Sequence, residues 1–305
     1  MRNDTGIQLI KDTWQQSIGV RMMRAAGRPK PEADAFTAAV PAAPPDLAYY
    51  YDGTWEGWLC CVYESYTAKE IPGMIAVETE QGISVESSLF YAKRVVTRTD
   101  LAERVRKGIA DKIGEPFLHI LERIFCSCIS QKEEQMLLFV HKGFRYGMRI
   151  LNLRQDKVVN NILKGLRDLG REIDKWYGFV RFSDVRGILV AVIGAKNNVL
   201  PFIASHFCDR FHKEHFMIFD QNHKMALVYK PGKCCVIPME DFVISEISDE
   251  ERKYRILWKN YYDAIEIKPR HNEVCRRTHM PKRYWDFLTE MTEKGDCIPT
   301  CKGIK

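Results

Sequence analysis

The hydrophobic period of this chain changes once, near residue 178, and that change limits the folds open to it. Before it, Leu101, Val105 and Ile109 recur at helical spacing. So do Met136, Val140, Phe144 and Met148, and then Val158/Val159, Ile162/Leu163, Leu166 and Leu169. These three stripes predict a helical block over about residues 99–175. After it, Gly178-Phe179-Val180-Arg181-Phe182 alternates and Ile188 to Ile193 is a short apolar run. Phe216–Phe219 and Ala226–Tyr229 flank Gln221-Asn222-His223-Lys224 as a hairpin, and Cys234 to Ile237 adds a strand. A helix of about residues 199–211 interrupts these runs. Hairpin-length connections beside a segregated helical block predict an α+β fold. Its sheet should be antiparallel or mixed, with further helices at the C-terminal end, and not a doubly wound parallel sheet.

The remaining segments follow from local signals. Ile7, Ile10, Trp14, Ile18 and Met22 predict a helix within residues 1–24. Prolines and alanines over 25–46 can hold neither a helix nor a central strand, so this stretch reads as a linker. A single domain is expected over 47–290, with a tail at 291–305. Tyr49-Tyr50-Tyr51 should be a strand that stops at Asp52-Gly53. Thr54 then caps a helix with Trp55, Leu59, Val62 and Tyr66 on one face. Residues 90–96 read as a second strand. Asp100-x-x-Glu103 and Ser130-x-x-Glu133 resemble capping boxes, Ser248-x-x-Glu251 opens a helix through Tyr262, and Pro281 suits the first turn of a last short one.

No stretch approaches the ~20 apolar residues of a membrane span, and Met1-Arg2-Asn3-Asp4 begins no apolar leader. A cytoplasmic location is therefore expected. Most of the ten cysteines stand close together, as Cys60-Cys61, Cys126-x-Cys128, Cys234-Cys235 and Cys297-x-x-x-Cys301. Such neighbours rarely pair, and reduced thiols packed as small apolar groups are the expectation.

The charge excess is modest, 46 basic against 40 acidic residues, so its placement matters more than its size. Residues 252–285 hold ten cations against Asp263, Glu266 and Glu273, with Tyr254, Trp258, Tyr261, Tyr262, Tyr284 and Trp285 interleaved. Cations neutralise phosphates and aromatic faces stack on bases, which makes this the candidate nucleic-acid segment. Its expected contacts are Arg270, Arg276, Arg277, Lys282, Arg283 and Tyr284. The bland alternative is a solvated face whose rings point into the core. A second basic run, Arg145, Arg149, Arg154, Lys157, Lys164, Arg167 and Arg171, is diluted by Asp156, Asp168 and Glu172.

The most enzyme-like cluster is His206, Asp209 and Arg210, at i, i+3 and i+4 of one helix. An imidazole beside a carboxylate is a general-base arrangement, and the guanidinium suits a phosphate. With no nucleophile clearly paired to the histidine, a local network fastening the helix is the favoured reading. His271, Cys275, His279, Cys297 and Cys301 lack the paired C-x-x-C spacing of a zinc site, so no metal is expected. Neither G-x-G-x-x-G nor G-x-x-x-x-G-K-[ST] occurs, and no cofactor is specified.

Four strings in order resemble a bacterial family of DNA-metabolism proteins built on a domain of unknown function. They are Tyr51–Gly57, Gly178–Phe182, Asn198–Phe211 and Met280–Trp285, and Trp258-Lys259-Asn260-Tyr261-Tyr262 fits the same pattern. The resemblance covers about residues 48–290, with Cys208 in place of an expected alanine. It implies association with a radical-SAM DNA-repair or DNA-modification protein, and with the uracil-DNA-glycosylase-like domains fused to some members. Neither a glycosylase motif nor a C-x-x-x-C-x-x-C set is present. The expected role is therefore that of a DNA-repair or DNA-modification accessory protein. The alternative is an enzyme acting on a nucleotide or damaged base through His206, Asp209 and Arg210.

Overall fold

A computed structural model describes residues 47–78, 91–240, 242 and 248–291. The helix expected within 1–24, the linker at 25–46 and the tail beyond Met291 lie outside the described residues. The fold is mixed α+β, with two sheets among the described residues, and the chain divides into two compact units, one ending at Asp168 and one beginning at Leu169. One domain was expected over 47–290. The boundary falls inside a single helix, whose buried Val159, Ile162, Leu169, Ile173 and Trp176 keep helical spacing across it. An unbroken stripe carries no linker signal.

In the first unit, β1 (Leu47–Tyr51) lies between β2 (Met74–Val77) and β3 (Tyr91–Arg94), with Tyr49 opposite Ile75 on one side and Lys93 on the other. Both pairings are parallel, an arrangement not expected from the sequence. The reason is visible in β1, which is buried at every position and covered on both faces, as parallel strands are. The Asp52 carboxylate accepts from Thr54 N, Thr54 Oγ1 and Thr97 Oγ1, which bends the chain out of β1. Thr54 caps α1 (Trp55–Ala68) by accepting from Gly57 N. The buried face of α1 holds Trp58, Leu59, Cys61, Val62 and Ser65, so Trp55 and Tyr66 are further from the core than their spacing predicts. A Cβ on Gly57 would stand 2.2 Å from Asp52 Oδ1 and 2.8 Å from Thr97 Oγ1, so the turn requires glycine there.

Three helices follow: α2 (Thr99–Lys112), α3 (Glu115–Phe125) and α4 (Lys132–Tyr146). Neither expected capping box forms. Asp100 is forked onto Arg98 and Glu103 onto Arg106, while α4 starts from Gln131 at φ 51° and Glu133 accepts from Tyr51 Oη instead. Nearby cations and a buried tyrosine outcompete the backbone amides for these carboxylates. The fifth helix, α5 (Lys157–Phe179), crosses the unit boundary.

The second unit carries a five-stranded mixed sheet in the order β4-β5-β6-β7-β8. Its strands are β4 (Ser183–Val185), β5 (Ile188–Ile193), β6 (Phe216–Asp220), β7 (Met225–Lys230) and β8 (Lys233–Pro238). Only β5 and β6 pair in parallel, with α6 (Leu200–Arg210) as their crossover. The predicted β6–β7 hairpin and the Cys234 strand are present, the second as part of β8. Gly178-Phe179 ends α5 and Val180–Phe182 is irregular, so the alternation there marks no strand. Phe179 packs edge-on to Tyr284 and Phe182 to Phe207, Phe211 and Phe216 instead. Beyond the sheet come α7 (Asp249–Ala264), α8 (Glu273–His279) and 3-10 turns at 268–270, 282–287 and 289–291. Pro281 sits at the cap of the second of these. Among the described residues no helix is long and apolar enough to cross a membrane, and none of the eight described cysteines is in a disulfide.

Candidate nucleic-acid interface

α7 is fastened to its unit by charge rather than by an apolar face. Ser248 caps it by accepting from Glu251 N, and Asp249, Glu250 and Glu251 suit the positive end of its dipole. Arg255 is its one buried residue. The guanidinium donates to Glu251 Oε1 at 3.0 Å and to Ser183 Oγ, which ties the helix to β4. One turn on, Trp258 Nε1 donates to Glu290 Oε2 at 3.0 Å. Glu290 is buried and takes a forked pair from Arg181, at 2.7 and 3.2 Å. Burial alone would push this carboxyl up, but the Arg181 and Trp258 hydrogen bonds outweigh it and hold the pKa below the usual 4.5.

This anchoring leaves the apolar stripe of α7 facing out. Tyr254 is 69% exposed, Trp258 42% and Tyr261 56%, with Leu257 and Ile265 exposed beside them. Their spacing of i, i+3, i+4, i+7 and i+11 is what a core-facing helix shows in sequence. The rings of Trp258 and Tyr261 are 5.8 Å apart and tilted by 32°, and the Arg181 guanidinium lies 5.8 Å from the Trp258 ring. Several large rings are thus exposed together on one stripe of the helix.

The six residues expected to contact nucleic acid divide. Arg270, Arg277 and Lys282 are exposed; Arg277 is 3.4 Å from Glu273, and Lys282 lies 5.9 Å from the Trp285 ring. Arg276 is half-buried, paired with Glu273 and set 5.1 Å from the Trp285 ring. Arg283 is exposed as well, but its guanidinium is paired with the buried Glu172, at 3.0 Å, and lies over Tyr284. Tyr284 is 1% exposed, packed edge-on to Trp176 and Phe179, and has no face open to a base. Trp285 donates to the Met280 carbonyl at 2.9 Å. The bland reading thus fits Tyr284 and Trp285, while Tyr254, Trp258 and Tyr261 depart from it. The second basic run is exposed throughout but, Arg171 apart, belongs to the first unit.

His206, Asp209 and Arg210 share α6, but no hydrogen bond or ion pair joins them. Asp209 and Arg210 are exposed, and the His206 ring stands 4.5 Å from Tyr177 with its buried Nε2 lacking a hydrogen-bond partner. Burial, with the Arg210 charge, holds this imidazole below its ordinary 6.5, against a smaller opposite pull from Asp209. Neither a general-base pair nor a fastening network is assembled. Among the described residues no group of three or more His, Cys, Asp or Glu could hold a metal ion. Cys275 Sγ and His279 Nδ1 are 3.6 Å apart, and Cys297 and Cys301 lie outside the described residues.

Apart from Arg283, expected as a phosphate contact, the residues that position this surface were not singled out from the sequence. Glu172 accepts from Lys196 N and Asn197 N at 3.1 and 2.9 Å, from Asn197 Nδ2, and from Arg283, so one carboxylate joins α5, the loop after β5 and the 282–287 turn. Arg181 and Arg283 do fall inside the family-like strings, which was the available signal. Glu290 had none.

The fold and this surface define an α+β protein that presents an exposed aromatic helix beside a basic segment. The chain belongs to the family DUF4130, a domain of unknown function whose model matches residues 130–290. Three of the four strings noted above lie within the match, and Tyr51–Gly57 lies outside it. No curated protein matches the chain.

Proposed function

We propose that this protein is a DNA-repair or DNA-modification accessory protein, which binds nucleic acid through its C-terminal surface and serves a partner enzyme. The observation that carries the reading is the exposure of Arg270, Arg277 and Lys282 in the same segment as the uncovered rings of α7. Cations in this setting neutralise phosphates, and the rings add a contact that phosphate alone does not need. The partner enzyme rests on the family resemblance. It is a radical-SAM DNA-repair protein or a uracil-DNA-glycosylase-like protein, and this chain is its companion. The alternative, an enzyme acting on a nucleotide or damaged base, has less support because His206, Asp209 and Arg210 are not brought into hydrogen-bonding contact.

The test is binding of duplex and single-stranded DNA across a salt series. Each phosphate contact contributes a slope of ~0.9 on duplex and ~0.7 on single strands. Replacing Arg270, Arg277 and Lys282 together by alanine should weaken binding of all sequences alike and flatten the slope by about two to three units. Unchanged affinity and slope would turn the patch toward a protein or toward water.

A further inference from the structure

We infer that α7 is a base-stacking platform for single-stranded nucleic acid, with Tyr254, Trp258 and Tyr261 as successive stacking rings. The inference rests on the nucleic-acid reading above and adds the strand class and the residues that select it. The three rings lie at i, i+4 and i+7 on one stripe, spanning about 10 Å of helix axis at ~1.5 Å per residue. All three are exposed, whereas Tyr284 and Trp285 in the same basic segment are packed inward. Exposure is therefore a property of this helix and not of every ring in the segment.

The exposed rings point to an unpaired strand rather than a duplex. A duplex hides base faces within its stack and offers an outside helix only edges, sugars and phosphates, which give rings nothing to lie on. A single strand offers every base face, and stacking on aromatic side chains tolerates any sequence. Charge complementarity selects nucleic acid over an uncharged partner. Arg252 and Lys253 are exposed on α7 itself, Lys268 and Arg270 follow within two turns of its end, and Arg181 stands at the Trp258 ring. On α7 itself Arg252, Lys253, Arg255 and Lys259 are matched by Asp249, Glu250, Glu251 and Asp263, so the cationic excess lies beyond its end, where Arg276 and Arg283 are paired with carboxylates and Lys268, Arg270, Arg277 and Lys282 are exposed. The anchoring fits the role, since the Glu290 hydrogen bond holds the Trp258 indole by its nitrogen edge while leaving the ring partly open to solvent.

The experiment compares three probes on one protein: an oligodeoxythymidine, an abasic oligonucleotide of the same length, and a duplex. The variants are Tyr254→Ala, Tyr261→Ala and their combination, at exposed positions whose loss leaves the Arg255 and Glu290 anchors intact. Trp258→Phe is a further variant that keeps a ring. The double variant should bind oligodeoxythymidine about tenfold or more weakly. Its affinity for the abasic strand and the duplex should change less than about twofold, with the salt slope unchanged. Equal loss on all three probes, or no loss on oligodeoxythymidine, overturns the inference while leaving the phosphate reading standing. A change in sedimentation with unchanged affinity also overturns it, and makes the stripe an interface between copies. Absence of binding to any probe in the unaltered protein overturns both readings.

Discussion

The Arg283 guanidinium lies 3.0 Å from the carboxylate of Glu172, a residue 111 positions earlier that is almost wholly withdrawn from solvent. A residue expected to reach for phosphate is thus part of the joint that holds the end of α5 to the loop after β5. Glu172 keeps three other donors when Arg283 is removed, from Lys196 and Asn197. Arg283→Ala should therefore cost about 1–3 kcal/mol, not the full penalty of an unpaired buried charge. Lys282→Ala, next to it and exposed, should stay within about 0.5 kcal/mol. Urea denaturation of the two variants checks this, and equal stabilities would show that the pair with Glu172 adds nothing to the fold.

Acid should loosen the anchor of α7. Glu290 has a folded-state pKa below its ordinary 4.5, because the bonds from Arg181 and Trp258 outweigh burial. A carboxylate lowered on folding contributes stability that is present above 4.5 and lost as pH falls through its folded value. Stability should therefore hold down to about pH 4.5 from this group and decline below it, with a change in Trp258 emission. In Glu290→Gln the acid limb of the stability profile should be shallower. An unaltered limb would show that other carboxylates govern it.

At neutral pH the same joint predicts a large effect for one substitution. Arg181→Ala leaves the buried Glu290 carboxylate without its cation and should cost about 3–5 kcal/mol. Chemical denaturation reads this directly. A loss under 1 kcal/mol would mean that Glu290 reaches water or a proton once the arginine is gone.

Asp209→Ala should be nearly silent. The carboxylate is exposed and pairs with neither His206 nor Arg210, and such surface changes stay within about 0.5 kcal/mol. A loss of about 1–3 kcal/mol in thermal or chemical unfolding would restore the fastening network expected from the i, i+3, i+4 spacing.

Gly57→Ala tests the turn after β1. Its Cβ would meet the Asp52 oxygen that already accepts from Thr54, as well as Thr97 and the Tyr51 ring. Neither oxygen can retreat without losing hydrogen bonds, so overpacking should cost about 1–3 kcal/mol. A drop in melting temperature measures it, and an unchanged value would show that the turn yields.

Much of the local structure was legible because its causes are local. The Thr54 and Ser248 caps, the 188–193 strand and the hairpin around Gln221–Lys224 follow from side chains satisfying neighbouring amides and from short apolar runs bounded by turn residues. The Asp100 and Ser130 boxes failed for an equally physical reason: their carboxylates had cations or a tyrosine within reach. Parallel pairing in the first unit was invisible, since β2 and β3 are four residues each and the partners of β1 lie far along the chain.

The sequence by itself determined which residues share a face, because backbone geometry sets the period of a helix or strand. It did not determine what that face meets. The spacing of Tyr254, Trp258 and Tyr261 is that of a core stripe, yet the one buried residue of α7 is Arg255, on the flank beside that stripe, held by Glu251 and Ser183. Tyr284 looked like a surface group and is buried against Trp176, and Arg283, though exposed, is held by Glu172; both partners lie more than a hundred residues away in sequence. Orientation of this kind depends on which distant charges and rings are brought within a few ångströms, and only the tertiary structure decides that.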